Sequence, residues 1–256
     1  MSAPRSGVPR TVVVTGASAG IGAEIARRLA AGGDRVHLAA RRADKLDALA
    51  ATIRADGGEA VAHACDIGDA ASTKALFDTV AASDGRIDAL VNSAAVLWLE
   101  DFASLAEADW EAMLATNLGG AIRVTQQALA HMLPRDAGHI LHLTSTAADL
   151  ALPGLAVYSA TKAGVRQLLA ALRGEYGKTG VRFTDLQIGN TAGTEGGGQA
   201  LRPMNGDAAR HILRWTGAPE MMRTQDVADT VAWALSTPPS VRLDRIVLRE
   251  RAEIPT

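Results

Sequence analysis

Cysteine is almost absent from this chain of 256 residues, and Cys65 is the single one. No disulfide can therefore form within the chain, which is typical of proteins in reducing compartments. Neither Cys65 nor the six histidines occur in spacings typical of metal sites, such as HxxxH or CxxC, so we expect no metal. Neither sign of charge predominates, because 26 basic and 28 acidic residues give a net charge of −2. This balance disfavours proteins that bind nucleic acids or membrane surfaces, which need a positive field.

Long apolar runs are also missing. No stretch reaches the 18 consecutive apolar residues that indicate a membrane-spanning helix. The first ten residues, MSAPRSGVPR, lack the apolar centre of a signal peptide. We therefore expect residues 1–9 to be a flexible lead-in and the protein to be cytoplasmic. Apolar residues make up 48% of the chain and charged residues 21%, a composition typical of a folded globular protein.

Short β-branched runs alternate along the chain with longer stretches of helical spacing. In the first such stretch, Ile21, Ile25 and Leu29 share one helix face. Strands are predicted over Thr11–Thr15, Arg35–Ala39, Ala60–Cys65, Ile87–Asn92, His139–Thr144, Val181–Ile188 and Arg245–Leu248. Strands that alternate with helices indicate right-handed βαβ units. We therefore predict an α/β fold, in which a doubly wound, seven-stranded parallel sheet is flanked by about six helices.

Two stretches interrupt this alternation. Residues 93–104 contain the run Val96–Leu99, which is too apolar for an ordinary loop. Residues 189–206 contain six glycines and show no clear period. Long irregular segments in compact domains are usually functional or disordered. We predict that residues 189–215 form a substrate loop.

A glycine-rich turn follows the first predicted strand. Gly16, Gly20 and Gly22 stand in the sequence TGASAGIG, immediately before the first helix. Gly16 allows a sharp turn, Gly20 lets the backbone approach a pyrophosphate, and Gly22 lets the helix pack closely on the strand. The helix N-terminus offers free N–H groups and the positive end of its dipole to phosphates. The alternative is an ordinary turn, but this position between strand and helix favours dinucleotide binding.

The spacing of these glycines, with Thr15 before them and Ile21 among them, resembles the TGxxxGIG motif of the short-chain dehydrogenase/reductase family. The resemblance covers residues 10–250, nearly the whole chain. It implies a single Rossmann domain, residues 1–256, that binds a nicotinamide dinucleotide and carries out catalysis.

The end of the second strand bears on the choice of cofactor. Arg41 and Arg42 stand where an acidic residue would accept a hydrogen bond from the ribose 2′-hydroxyl, and no acid occurs before Asp44. Two guanidinium groups can bind a phosphate dianion, and Ser18 can add its hydroxyl. The alternative is a solvated basic pair at a helix start. The same pattern resembles the NADP-preferring branch of the family, and we therefore expect NADP(H).

The resemblance implies two further contacts with the adenine ring, from Asp66 and Ile67 after the third strand. Asp66 has an alternative function as a helix N-cap, and the two are compatible.

Tyr158 and Lys162 form a YxxxK pair, and their i,i+4 spacing places both on one face of a predicted helix. A nearby ammonium stabilises a phenolate, so we expect Lys162 to lower the pKa of Tyr158 and make it a general acid. Ser145 lies 13 residues earlier, at the carboxyl end of a strand, where its hydroxyl can polarise a carbonyl oxygen. This order of Ser, Tyr and Lys resembles the catalytic set of the family.

The resemblance also implies a fourth catalytic residue, Asn117, which would hold a water in a proton relay; the alternative is an amide in the interior of a helix. It implies cofactor contacts from Asn92, Ala94, Ile188 and Gly189. The chain departs from the family pattern at two places. Ala95 replaces a glycine and would be strained at positive φ, and Ile188 replaces a proline. The hydroxyl that contacts the cofactor phosphate is either Thr191 or Thr194.

The residues expected near the reacting carbonyl are largely apolar. The predicted substrate pocket contains Trp98, Leu150, Leu152 and Leu155, with Leu99, Ala147, Met204 and Trp215 as further candidates. Such a pocket favours an uncharged, apolar ketone or aldehyde. For Trp98 and Trp215, packing in the core or at a subunit interface is an equal alternative. The resemblance implies a homodimer or homotetramer that assembles through residues 106–133 and 156–178.

Together these observations predict an NADPH-dependent reductase that transfers hydride between NADP(H) and a ketone or aldehyde, or the corresponding alcohol. An NAD-dependent alcohol dehydrogenase is the alternative enzyme. A non-catalytic dinucleotide-binding regulator is disfavoured, because Ser145, Tyr158 and Lys162 are all present.

Overall fold

The computed structural model describes residues 9–193 and 221–251. In these residues seven parallel strands form one sheet in the order β3-β2-β1-β4-β5-β6-β7. The strands are β1 Thr11–Thr15, β2 Arg35–Ala40, β3 Glu59–Ala64, β4 Ala89–Asn92, β5 Gly138–Ser145, β6 Val181–Ile188 and β7 Arg245–Leu248. The predicted doubly wound parallel sheet is confirmed. The predicted strand limits differ from these by at most two residues, as at β4, which begins at Ala89 and not at Ile87.

Helices cover both faces of the sheet. They are α1 Gly20–Ala31, α2 Ala43–Ala55, α3 Ala70–Asp84, α4 Glu107–Met113, α5 Ala121–Met132, α6 Ala156–Glu175 and α7 Thr224–Ser236. A π-helix, Leu114–Gly120, joins α4 to α5 without a break. The described part of the chain thus holds one α-helix more than the six expected, because the region between β4 and β5 contains two.

The core has two layers, one on each face of the sheet. Val12 and Val14 of β1 belong to the layer under α1, α2 and α7, and Val13 between them belongs to the layer under α3, α5 and α6. Each of the three is fully buried. This explains why the strands appear in the sequence as continuous apolar runs, since strands of a parallel sheet are covered on both faces.

The strand order reverses direction at β1, which pairs with β2 on one side and β4 on the other. In such sheets ligands bind outside the carboxyl ends of the strands at this reversal. The ends of β1, β4 and β5 there carry Thr15, Asn92 and Ser145.

Several predictions concern residues outside the described ranges. Thr194, Met204, Trp215, most of the predicted substrate loop 189–215 and most of the lead-in 1–9 are among them. Among the residues that are described, no helix has the length and apolar character needed to cross a membrane.

Candidate active site

The turn between β1 and α1 contains two glycines, Gly16 and Gly22, at which an added Cβ would clash with the backbone. Gly16 has φ +68° and Gly20 has φ +57°. A Cβ on Gly16 would lie 2.7 Å from the backbone of Ala94, and one on Gly22 would lie 2.3 Å from the carbonyl oxygen of Gly16. The steric roles predicted for Gly16 and Gly22 are thus found in the structure, and Ala94 is brought against the turn.

The N-terminus of α1 is open to an anion. Its N-cap residue, Ala19, makes no side-chain capping bond, and the first turn contains no acidic residue. The first N–H groups of a helix have no partner within the helix, and they carry the positive end of its dipole. The turn therefore fits the pyrophosphate of a dinucleotide. The Ile21 side chain is buried in the core beside it.

The end of β2 places a cation and a hydroxyl next to this helix terminus. Arg42 donates hydrogen bonds to the hydroxyl of Ser18 from Nη2 at 2.9 Å and from Nε at 3.2 Å. Arg41 is exposed beside them. Of the three predicted partners of a 2′-phosphate, Ser18 and Arg42 are therefore in contact.

The third strand ends in a tight turn. The Asp66 carboxylate accepts a hydrogen bond from the Gly68 N–H at 2.8 Å, while Asp69 caps α3 by accepting from the Ser72 N–H at 2.6 Å. The N-cap alternative for Asp66 is therefore wrong, because Asp69 is the residue that directly precedes the helix. Ile67 is buried and packs closely on Gly120 of the π-helix.

A buried chain of hydrogen bonds joins the ends of β1 and β4 to the neighbouring strand and helix. Thr125 donates to the Ala121 carbonyl at 2.7 Å, so the hydroxyl accepts from His142 Nε2 at 2.8 Å. His142 Nδ1 then accepts from Asn92 at 2.9 Å, and the Asn92 Oδ1 accepts from Thr15 at 2.5 Å. Burial lowers the pKa of His142 to about 3, which keeps the ring neutral as this arrangement requires.

Both polar atoms of the Asn92 side chain are thus hydrogen-bonded, Oδ1 with Thr15 and Nδ2 with His142. The neighbouring Ala95 does not carry the expected strain. Among the described non-glycine residues only Asp136 has a positive φ.

Ser145, Tyr158 and Lys162 meet at the carboxyl end of β5. Ser145 is the last residue of the strand, and its Oγ accepts from the Ala147 N–H at 3.1 Å. Its side chain is also close enough to that of Tyr158 to lower the pKa of the phenol. The buried Lys162 lies one turn further along α6, with Nζ 5.6 Å from the centre of the Tyr158 ring and 3.0 Å from the Leu143 carbonyl that accepts from it.

Asn117 lies in the π-helix, whose wider turns often occur at functional sites. Its amide binds the backbone of Val96 twice, since Oδ1 accepts from the N–H and Nδ2 donates to the carbonyl, both at 2.8 Å. Nδ2 also approaches the hydroxyl of Thr161, 3.3 Å away on α6. Asn117 therefore ties the irregular segment 93–104 to the helix that carries Tyr158.

The comparisons with known proteins agree with this arrangement. The model of the short chain dehydrogenases matches residues 10–203, about three quarters of the chain. The chain belongs to this family. The named members are dehydrogenases and reductases, and the chain is accordingly an oxidoreductase of the same kind.

The similar proteins differ in how much of their length they share with this short chain dehydrogenase. It is 34% identical over 98% of its length to a glycine betaine reductase of Emericella nidulans, but it spans only 19% of that protein. It is 39% identical to a D-threitol dehydrogenase of Mycolicibacterium smegmatis, covering 80% of this chain and 78% of the relative. It is 34% identical to an NADP-dependent 3-hydroxy acid dehydrogenase of Salmonella typhi, covering 92% of each.

Solved structures show the same fold with cofactor. The closed form of a serine dehydrogenase complexed with NADP+ matches with a TM-score of 0.84 and 31% identity, covering 93% of this chain and 94% of that one. An actinorhodin polyketide ketoreductase with NADPH matches with a TM-score of 0.84 and 30% identity, covering 94% and 96%.

In this short chain dehydrogenase the pKa of Tyr158 differs from the expectation, and that of Lys162 is shifted as well. Burial raises the pKa of Tyr158 to about 12, against the lowering effect of the Ser145 side chain. Burial lowers the pKa of Lys162 to about 8, although the Asp185 carboxylate opposes the change. The expected lowering of the Tyr158 pKa by Lys162 is therefore wrong for this structure, because desolvation is the larger effect and Lys162 Nζ is directed to the Leu143 carbonyl.

The end of β6 closes the site on the other side. Gly189 N–H donates to the Leu248 carbonyl at 2.9 Å, and Ile188 is partly buried against the core. The Thr191 hydroxyl donates to the Gly189 carbonyl at 3.1 Å. Thr191 is in the described part of the chain and Thr194 is not, so the choice between them stays a prediction.

The predicted pocket residues come from two segments that meet beside Tyr158. The Glu100 N–H donates to the Gly154 carbonyl at 3.2 Å, which joins the segment of Trp98 to that of Leu152. Trp98, Leu150 and Leu152 are partly exposed, and Leu155 is buried. Trp98 is thus outside both core layers in this structure.

The sequence analysis did not identify the polar residues whose hydrogen bonds and ion pairs connect the strands and helices that carry the site. They are Thr125, His142, Asp149, Asp185, Gln187 and Arg245. Each contacts partners that are distant in sequence, as His142 does with Asn92, 50 residues away. One signal was present: polar residues interrupt the apolar pattern of two central strands, β5 and β6, at His142, Asp185 and Gln187.

Proposed function

We propose that this short chain dehydrogenase is an NADPH-dependent reductase that transfers hydride between NADP(H) and the carbonyl group of a ketone or aldehyde, or the corresponding alcohol. The observation that carries the proposal is the meeting of Ser145, Tyr158 and Lys162 at the carboxyl end of β5, where Lys162 Nζ lies 5.6 Å from the centre of the Tyr158 ring. A phenol and a hydroxyl at this edge of the sheet, where ligands of such sheets bind, support the proposed roles of acid and polarising group.

The residues fit the proposed cofactor. The uncapped N-terminus of α1 suits a pyrophosphate, and the contact of Arg42 with Ser18 suits a 2′-phosphate. The similar solved structures hold NADP+ or NADPH, which supports the same choice. A bound nicotinamide supplies or accepts the hydride.

The roles of the chain's own residues follow from their positions. The Ser145 hydroxyl donates to the carbonyl oxygen of the substrate and polarises it. Tyr158 holds the proton that this oxygen receives, since a raised pKa keeps the phenol protonated at neutral pH. Lys162, with Nζ 5.6 Å from the ring centre, is the amine from which the phenolate that is left would regain a proton. Asn117 fixes the segment 93–104 at the edge of the site, and its proposed relay through a water would return the proton to Lys162.

An apolar carbonyl compound is the proposed substrate. The partly exposed Leu150 and Leu152, with Trp98 opposite, offer hydrocarbon surface and no charge. The named relatives act on a polyol, on hydroxy acids or on a polyketide, so the family itself does not decide the substrate.

We also propose that the chain is a cytoplasmic homodimer or homotetramer. Leu114 and Ile122 expose 39% and 36% of their surface on the predicted dimer face, residues 106–133. An apolar side chain exposed at such a face supports association. The single cysteine supports a reducing compartment.

The test follows the oxidation of NADPH by its absorbance in the presence of aliphatic and aromatic ketones and aldehydes. We expect turnover by the wild-type protein and by Tyr176→Phe, a control that changes the other of the two tyrosines. Tyr158→Phe should lower kcat by about 10²–10⁴-fold while NADPH binding persists. Equal turnover by Tyr158→Phe, or tight NADPH binding with no turnover on the whole panel, would contradict the proposal.

A further inference from the structure

Four side chains form a connected polar group that reaches the Ser145 backbone carbonyl, and none of them belongs to the proposed catalytic set. They are Asp149 from the turn after β5, Arg166 from α6, Gln187 from β6 and Arg245 from β7. We call this group the Asp149 cluster. It joins the four segments whose relative placement determines where Ser145, Tyr158 and Lys162 meet.

Gln187 is at the centre of the cluster and is fully buried. Its Nε2 donates to the Ser145 backbone carbonyl at 3.0 Å and to Asp149 Oδ2 at 2.8 Å. Its Oε1 accepts from Arg245 at 2.5 Å. Because acceptors lie on one side and a donor on the other, only this orientation of the amide satisfies every partner.

Asp149 is held by a cation on each of its oxygens. Oδ1 forms an ion pair with Arg166, and Oδ2 forms one with Arg245. Arg166 lies four residues after Lys162 and eight after Tyr158, on the same face of α6. A direct chain of contacts therefore runs from the Ser145 carbonyl through Gln187 and Asp149 to the helix of the catalytic pair.

We propose that the Asp149 cluster positions Ser145 against Tyr158, with Gln187 as the central positioning residue. The inference rests on the proposed function for its catalytic consequence. A turn and a loop, residues 146–155, separate β5 from α6, and the hydrogen bond from Lys162 Nζ to the Leu143 carbonyl already ties the helix to the strand. The cluster supplies a second connection between the same two elements, which fixes the distance over which the hydroxyls interact.

The physical reason is the sensitivity of catalysis to geometry. A displacement of about 1 Å in a positioned group can lower a rate by about 10²-fold. A buried amide with three satisfied partners in a polar network is costly to disturb, because a lost partner leaves another group buried and unpaired. A rigid cluster of this kind therefore holds the Ser145 backbone more firmly than the solvated turn could.

The test uses Gln187→Glu, which keeps the size and shape of the side chain. It replaces the donor that faces the Ser145 carbonyl and the Asp149 carboxylate with an oxygen, so two attractive contacts become repulsive. We expect kcat to fall by about 10–100-fold, with the KM for NADPH changed less than about two-fold, because the cluster does not touch the glycine turn. The matched control is Asp229→Asn, which breaks the ion pair of Asp229 with Arg28 between α1 and α7, far from Ser145.

A second measurement does not depend on turnover. The chain has only two tyrosines, so 13C labelling of Cζ, the ring carbon that bears the hydroxyl, gives two NMR signals. The signal that is lost in Tyr176→Phe belongs to Tyr176, which assigns both. In Gln187→Glu we expect the Tyr158 signal to shift as the position of Ser145 beside it changes, and the Tyr176 signal to stay. If Gln187→Glu does not fold, Asp149→Asn at the partly exposed end of the cluster is measured in the same two ways.

The outcomes separate the two proposals. Absence of turnover by the wild-type protein would contradict the proposed function, and the Tyr158 signal would still test the positioning role. A folded Gln187→Glu with wild-type kcat and an unshifted Tyr158 signal would overturn the inference, as would a fall in kcat of the same size in Asp229→Asn. Partial recovery of kcat when Asp149→Asn is added to Gln187→Glu would support it, because the repulsion between the two carboxylates is then removed.

Discussion

The two sides of the candidate site are made from different parts of the polypeptide. At the ends of β1 and β2 the functional surface is mostly backbone: a turn of glycines and the free N–H groups of α1. At the ends of β5 and β6 it is made of side chains that are buried and hydrogen-bonded to one another. The side at β1 and β2 has no room for additional side-chain atoms, while the side at β5 and β6 depends on particular side-chain atoms being present. Substitutions should therefore act on the first through steric clash and on the second through charge and geometry.

The largest effect is expected on the side-chain half, from Lys162→Arg. The charge is kept, but the guanidinium is larger and planar, and Lys162 is 5% exposed beneath the Tyr158 ring with Nζ held by the Leu143 carbonyl. We expect kcat to fall by about 10²-fold or more, because Arg cannot place a point charge in the same position. The measurement is steady-state reduction with saturating NADPH.

Lys178→Arg is the control for this substitution, because Lys178 lies exposed in the turn after α6. A wild-type kcat in Lys162→Arg would show that a positive charge at position 162 is sufficient for catalysis. The side at β5 and β6 would then not depend on the exact geometry of its side chains.

On the backbone side, Gly16→Ala tests the steric argument. The new Cβ would lie 2.7 Å from the Ala94 backbone, and the residue would keep φ +68°. We expect the free energy of unfolding to fall by about 2–4 kcal/mol, the sum of overpacking and left-handed strain. Urea unfolding followed by circular dichroism measures it.

Gly33→Ala separates the two contributions. Gly33 has φ +88° and nothing within 4 Å of its added Cβ. Only the backbone strain applies there, so a loss of about 1 kcal/mol is expected. Equal losses at the two positions would mean that crowding at Ala94 contributes nothing.

The same contrast explains what the sequence could predict. The glycine turn and the YxxxK pair are local patterns, in which spacing along the chain decides spacing in the fold, and the structure has the turn before α1 and the pair on α6 as predicted. The network of Thr15, Asn92 and His142 and the contacts of Gln187 join residues 38 to 77 positions apart. Their partners depend on the parallel register of the strands, which the sequence alone did not specify. The pKa of Tyr158 was missed for the same reason, since desolvation depends on what packs around a group.

A smaller effect is expected from Arg42→Ala, at the cofactor end of the backbone side. It removes one cation and leaves Ser18 without the donor bound at 2.9 Å. We expect the KM for NADPH to rise by about 10-fold, as for one charge-assisted hydrogen bond, and the KM for NADH to change little. Arg41→Ala is measured in parallel, and a larger loss there would assign the phosphate to the exposed Arg41. A preference for NADH in the wild-type protein would contradict the proposed cofactor.

The smallest effect concerns the pH dependence of stability. Burial lowers the pKa of His142 from 6.5 to about 3, and the charge of the neighbouring Lys162 acts in the same direction. Between these values the unfolded chain binds a proton that the folded chain does not, so the free energy of unfolding must fall as the pH decreases from about 6.5 towards 3. From pH 7.5 to pH 5.5 the loss should be about 1 kcal/mol for this histidine.

Urea unfolding at the two pH values measures this loss. His142→Asn should reduce the loss by the same amount, even though the substitution lowers the free energy of unfolding at both pH values. His131→Asn, in the last turn of α5, serves as the control. If His142→Asn kept the full pH dependence, His142 would be charged in the fold at pH 5.5. Its Nε2 would still donate to Thr125, but its Nδ1 would donate as well, so the Asn92 amide would have to turn its oxygen towards the ring.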